Sequence, residues 1–221
     1  ITHSSAFPFD AIKFCLDSAS IKVNQVDEIA ISYNYEEAIM KLFFLRTLKY
    51  LPKSLLYIKD FTKVLNTKFK VINRLRVDIG YNGKISYLDH HDCHAASAYY
   101  CSPFNKTAII TLDGRGEWAT NRIYAAEDGS LKRFDQMNYP QSMGMVYENV
   151  TNYLGFHRNN DEGKVMGLSS HGEPKYYADF KKIIKNKGDW KYSLDLSFFN
   201  HHLREKALLP ERFIKIFGKA R

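Results

Sequence analysis

Between Thr107 and Met137 the sequence changes period, and this stretch limits the possible folds more than any other. Thr107–Leu112 (TAIITL) is a β-branched apolar run, Ala119–Ala126 alternates apolar with polar, and Leu131–Met137 alternates again. Asp128-Gly129, between the second and third runs, is a strong hairpin signal. The expectation is a three-stranded antiparallel meander. Its first corner is a glycine-bracketed acidic turn, Asp113-Gly114-Arg115-Gly116-Glu117.

Around this meander the spacing is mainly helical. Pro8 stands near a helix start, followed by Ile12, Cys15, Leu16 and Ala19 at helical intervals. Val26–Tyr33 reads as a short strand with a buried Ile29-Ala30-Ile31 centre. From Glu36 to about Arg76 the pattern predicts two or three helices packed on a sheet, interrupted near Pro52 and near Asn66. Lys84–Leu88 reads as a strand that runs into His90-His91-Asp92-Cys93-His94 and the small-residue stretch Ala95–Ala98, a helix ending at Ser102-Pro103. Ser142 is placed to cap a helix running to Tyr153, with Gly155 just past its end. Glu173–Arg221 is expected to be mostly helical, broken near Gly188 and Pro210. The fold class is α/β.

Composition removes several classes of protein. With 45% hydrophobic and 25% charged residues in 221, the chain has the make-up of a soluble globular protein and not of a disordered one. No apolar run approaches the roughly 20 residues that cross a bilayer, and no signal peptide opens the chain, so a cytoplasmic location and no membrane partner are expected. Cys15, Cys93 and Cys101 cannot all pair and match no zinc-ribbon spacing, which reads as reduced thiols. The net charge of +8 collects in Lys41–Arg76 and Lys175–Arg221, interleaved with Phe, Leu, Ile and Tyr. That pattern describes amphipathic helices with solvated basic faces; nucleic-acid binding is not expected as the main role, while anionic small ligands gain from the field.

Three places carry chemistry. His90 and His94 are four residues apart, on one face of a helix, so two imidazoles can reach a common metal; two exposed histidines also arise this way by chance. His91, about 100° further round, is a packing or hydrogen-bonding residue. Asp113 ends a buried strand before Gly-x-Gly, where a carboxylate stands beside backbone N–H groups open to a phosphate or acyl oxygen; a tight turn that simply needs glycines is the alternative. Two histidines and an aspartate would make a facial triad with open positions, able to polarise a carbonyl. The third place, Asn159–Leu168 with Glu162, Lys164 and Gly167, reads either as an anion- or ribose-binding helix entry or as a surface loop with a local Glu162–Lys164 contact. Cys93 reads as an inert packed thiol.

These residues, in this order, resemble the carbamoyltransferase family of nodulation-factor and antibiotic biosynthesis. The likeness is carried by HHDCHAASAYYCSPF (90–104), TAIITLDGRGEW (107–118), YPQSMGMVYENVTNYLGF (139–156) and DEGKVMGLSSHGEP (161–174). The resemblance implies a transferase domain of the actin-like ATPase superfamily, with residues 1–105 as the remainder of one ribonuclease H-like half and 106–221 as the start of the second. It implies His90, His94 and Asp113 as ligands of a divalent metal, commonly iron, with zinc or manganese as alternatives. Gly114, Gly116 and Glu117 would form the adjoining turn. Ser142, Glu162, Lys164 and Gly167 would line the nucleotide and carbamoyl side of the cleft. His171 stands where the family usually has tyrosine.

The function the resemblance implies is transfer of a carbamoyl group from carbamoyladenylate, made from carbamoyl phosphate and ATP, to a hydroxyl of a small acceptor such as a sugar or an antibiotic core. The family's early His-Asp-x-Ser motif, from which a general base is drawn, would lie upstream of residue 1. A further aspartate ligand, a glycine-rich nucleotide loop and a YrdC-like activating domain would lie downstream. The chain alone is accordingly expected to be inactive, and an exposed half-cleft is expected to favour self-association. A metal-dependent hydrolase using the same three ligands, and a nucleotide-binding actin-like module without catalysis, are the alternatives.

Overall fold

A computed structural model describes residues 6–41, 58–202 and 209–221. The chain is mixed α/β and divides into two compact units, Ile1–His90 and His91–Arg221.

In the first unit, helix α1 (Phe9–Ala19) starts directly behind Pro8 and ends at Ser20, which takes a left-handed conformation. Strand β1 (Glu28–Ile31) pairs in parallel with β2 (Lys84–Tyr87), Glu28 opposite Lys84 and Ile31 opposite Tyr87. Ile29 and Ile31 are half-buried, whereas Ala30 is exposed, so the expected buried triple is corrected to an alternating strand. A strand covered on one face alone alternates in this way. Glu28 is held by Lys84 Nζ at 3.0 Å and by the Ser86 hydroxyl. Helices α2 (Tyr35–Lys41) and α3 (Ile58–Asn73) follow, α3 passing into one π-helical turn, Arg74–Asp78. No break occurs at Asn66, which is exposed inside α3; one solvated Asn costs a helix only about 0.7 kcal/mol, less than its packed face returns. The interruption expected near Pro52 lies outside the described residues.

The meander forms the centre of the second unit. Strands β3 (Lys106–Leu112), β4 (Ala119–Glu127) and β5 (Ser130–Asn138) are antiparallel in that order, and Asp128 and Gly129 both have the positive φ of the two-residue turn between β4 and β5. Helix α4 (His90–Tyr100) lies on one sheet face: its Ala95 and Tyr99 pack with Ile109, Tyr124 and Ala126. From His91 onward α4 thus shares a core with the meander, inside the second unit.

A second core joins helix α5 (Met143–Tyr153) to the C-terminal segments through Val146, Ile183, Leu194, Phe198, Phe199, Phe213 and Phe217. Helix α6 (Glu162–Ser169) is largely exposed. After helix α7 (Tyr177–Ile183) the expected helical character gives way to a hairpin, β6 (Ile184–Asn186) with β7 (Tyr192–Leu194), turning through positive-φ Gly188 and Asp189. Tertiary contacts select the strand: the Tyr192 hydroxyl accepts from Met143 N at 2.9 Å and from Asn121 Nδ2 at 3.1 Å, and Trp190 Nε1 donates to Asp135 at 3.2 Å. Helix α8 (Glu211–Phe217) begins immediately after Pro210. Among the described residues no helix is long and apolar enough to cross a membrane.

Candidate metal centre

Helix α4 presents His90 and His94 from successive turns, and the β3–β4 corner presents Asp113. One donor atom from each of these three residues lies within 4.8 Å of the other two. His94 Nε2 stands 3.6 Å from Asp113 Oδ2. Two ligands of one tetrahedral ion with bonds near 2.1 Å are roughly 3.4 Å apart, so that pair is already close to the spacing a metal requires. The donor types also fit: two imidazoles and one carboxylate suit zinc, iron or manganese. His90 Nδ1 lies 3.2 Å from the Ser32 carbonyl. A carbonyl can only accept, so this bond puts the proton on Nδ1 and leaves Nε2 as a lone-pair donor, the outer contact that sets the tautomer of a metal-binding imidazole. Asp113 Oδ1 accepts from Gly114 N at 2.6 Å, which turns the carboxylate so that Oδ2 faces His94.

His91 has the packing role its helical position implied. It is fully buried, its Nε2 donating to the Ala119 carbonyl at 3.0 Å and its Nδ1 accepting from the Thr111 hydroxyl at 2.7 Å. Its neighbour Asp92 accepts from Arg122 NH1 at 2.9 Å and from the Tyr124 hydroxyl at 2.7 Å. Burial drives the Tyr124 phenol well above its ordinary pKa, so that hydroxyl remains a donor.

The turn after Asp113 is closed by Asp113 N donating to the Thr120 carbonyl and Gly116 N to the Ala119 carbonyl, each at 2.9 Å. Glu117 is buried at its end. Ser142, also buried, caps α5 by accepting from Met145 N at 3.0 Å and donates to the Gly114 carbonyl at 2.7 Å, so it ties the start of α5 to the acidic turn. Gly144 has no room for a side chain against backbone: a Cβ there would sit 2.5 Å from Gly114 N and 2.6 Å from Asp113 C. That close approach lets the first turn of α5 rest on the Asp113-Gly114 peptide. Gly114 itself has no positive φ.

Glu162, Lys164 and Gly167 are together on α6, outside the cluster of donors. Lys164 Nζ pairs with Asp161 at 2.7 Å, not with Glu162, and Glu162 accepts from Asn159 N at 2.7 Å. Lys164 and the His157 N–H hold the Asp161 carboxyl below the usual range. Glu148, on α5, is pushed up by burial, opposed by Arg158 at 3.2 Å and reinforced by Glu162. Sequence reading passed over Gly144, Asp92, Arg122 and Glu148. The SMGM run holds the one trace of Gly144, a glycine in the first turn of a capped helix; the others have partners too distant in sequence to leave any.

Two helix imidazoles and a strand-end carboxylate on an α/β scaffold make this a candidate metal-binding domain. The chain belongs to the family described as carbamoyltransferase N-terminus, whose sequence pattern matches residues 1–221. It is 30% identical to an uncharacterized protein of Synechocystis sp., over 99% of this chain and 37% of that one. It is 29% identical to the nodulation protein NolNO of Sinorhizobium fredii, over 85% of this chain and 27% of that one. An uncharacterized protein of Methanocaldococcus jannaschii is 32% identical over 64% of this chain and 26% of its own. The chain thus spans between 26% and 37% of the length of these relatives.

Proposed function

We propose that this chain forms the metal-holding side of an O-carbamoyltransferase of the actin-like fold. In the longer protein a carbamoyl group would pass from carbamoyladenylate, supplied from carbamoyl phosphate and ATP by a YrdC-like domain, to a hydroxyl of a sugar or antibiotic-type acceptor. The observation that carries the reading is the convergence of His90, His94 and Asp113 within 4.8 Å in a member of the carbamoyltransferase family.

His90, His94 and Asp113 would hold one divalent ion, iron by family resemblance, with zinc and manganese equally suited to the donors. When bound, that ion supplies Lewis acidity to the carbamoyl oxygen. The protein's own part is orientation. Ser32 sets the His90 tautomer, and the Gly114 amide fixes the Asp113 rotamer. Ser142 holds the turn of Gly114, Gly116 and Glu117 against the start of α5, and so keeps Asp113 in place. On α6, Lys164 supplies positive charge for the departing AMP phosphate; Glu162 braces the helix entry through Asn159 N, and Gly167 leaves the exposed face open to the nucleotide.

The test combines metal analysis with transfer of label. Purified wild-type chain should carry equimolar metal, and His90→Ala, His94→Ala and Asp113→Ala should each lose it while keeping the far-UV circular dichroism. The longer protein should move radiolabelled carbamoyl from carbamoyl phosphate to a hydroxyl acceptor in an ATP-dependent manner, and the same variants should stop it. Equal metal content in wild type and His90→Ala would refute the site. Metal-dependent hydrolysis of phosphate esters with no acceptor would replace transferase by hydrolase.

A further inference from the structure

Helix α4 carries both candidate imidazoles, yet little apolar packing fixes its rotation. Of its 11 residues, only Ala95 and Tyr99 enter the apolar core beneath it. A small-residue face lets a helix roll. With a side-chain radius of about 5–6 Å, a 20° roll displaces a side-chain tip by about 2 Å. That is more than half of the 3.6 Å between His94 and Asp113, so an unpinned α4 would not hold the donors together.

The pin lies on the opposite flank. At about 100° per residue, Asp92 stands some 160–200° round the helix from His90 and His94. There a single oxygen, Asp92 Oδ1, accepts from both Arg122 NH1 at 2.9 Å and the Tyr124 hydroxyl at 2.7 Å. Both donors rise from β4. The Arg122 side chain is only 2% exposed and is held by Gln136 Oε1, which accepts from Arg122 Nε at 3.1 Å. Between the two flanks, His91 is anchored to Thr111 and Ala119. A buried guanidinium facing a half-exposed carboxylate brings little net stability, since desolvation offsets the attraction, but it fixes geometry.

We propose that Asp92 is a positioning residue: by engaging Arg122 and Tyr124 it sets the roll of α4 and so aims His90 and His94 at Asp113. The inference rests on the reading of those three residues as metal ligands. Asp92 touches neither metal nor substrate and acts through the helix.

The experiment titrates Co(II) into the 221-residue chain and reads the visible ligand-field band, with far-UV circular dichroism as the check on folding. Asp92→Ala should weaken Co(II) about 10-fold or more and shift the band, the usual scale for losing an outer-shell contact. Asp92→Asn, whose amide oxygen still accepts from both donors, should restore most of the affinity. Should Asp92→Ala fail to fold, Tyr124→Phe removes one donor and leaves the ring in place; it should weaken Co(II) and shift the same band in the same direction. Wild-type affinity and spectrum in the folded Asp92→Ala protein, or in Tyr124→Phe where that variant replaces it, would overturn the inference and leave the metal site standing. No Co(II) binding by wild type would remove both.

Discussion

Replacing Gly144 by alanine tests whether the first turn of α5 is packed against the acidic turn as closely as its backbone indicates. The added Cβ would lie 2.5 Å from Gly114 N, 2.6 Å from Asp113 C and 2.7 Å from Asp113 O, all backbone atoms with no rotamer to escape into. Ordinary contact begins at 3.4 Å, so helix and turn must part by about 0.7–0.9 Å. Overpacking of this kind costs roughly 1–3 kcal/mol. The same retreat stretches the 2.7 Å bond from Ser142 to the Gly114 carbonyl beyond hydrogen-bonding range, worth about 1 kcal/mol more. Alanine's better helix propensity returns at most about 1 kcal/mol. The net loss is about 2 kcal/mol, a fall in Tm of about 4–8 °C for a chain of this size. Because Asp113 moves with the turn, Co(II) affinity should fall as well. Gly163→Ala is the control, since a Cβ on that α6 glycine meets nothing within 4 Å; its Tm should hold or rise. Equal Tm values for Gly144→Ala and wild type in differential scanning calorimetry, with unaltered metal affinity, would refute the close-approach argument.

His91→Leu should lower stability by about 1–3 kcal/mol in urea denaturation, because the buried Thr111 hydroxyl loses its imidazole partner and the Ala119 carbonyl keeps only the Gly116 N–H. Asp161 has a depressed pKa, so its contribution is complete above the unfolded value of 3.8 and disappears as pH falls through the folded value; the Tm gap between wild type and Asp161→Asn should therefore be constant near neutrality and close in acid. Glu148 behaves oppositely. Its carboxyl binds the proton more tightly folded than unfolded, so its ionisation erodes stability as pH rises from 4.5 through the raised value. Melts of Glu148→Gln should accordingly gain on wild type as pH climbs through that window, and a gap that stays flat would remove the assignment.

The meander was legible because β-branched alternation and an Asp-Gly turn are local, and the structure uses both as the sequence indicates. The same holds for α5, whose Ser142 cap and Gly155 exit are written within a few residues of its ends. The β6–β7 hairpin was not legible. Its strands have three residues each, too few to establish a period, and Tyr192 is drawn into strand by Met143 and Asn121, 49 and 71 residues away. Local spacing brought out the imidazole pair, but its partners on the far side of α4 left no trace. Asp92 and Arg122 are 30 residues apart, and nothing in either neighbourhood identifies them as a pair.

The donor cluster is bounded by buried polar groups more than by apolar ones. Ser142 fixes the Gly114 carbonyl, His91 fixes the end of the acidic loop at Ala119, and Arg122 fixes the flank of α4 opposite the imidazoles. Each is nearly or fully buried, whereas the His94 side chain is 52% exposed and Asp113 33% exposed. An apolar core with small residues at the helix face tolerates sliding, because many nearly equivalent contacts exist. Directional bonds made by buried groups do not, since the displaced buried donor or acceptor is left without water. The large aromatic core around Phe199, Phe213 and Phe217 therefore supplies stability to the second unit, while the polar contacts beneath α4 and the acidic turn set where its exposed donors point.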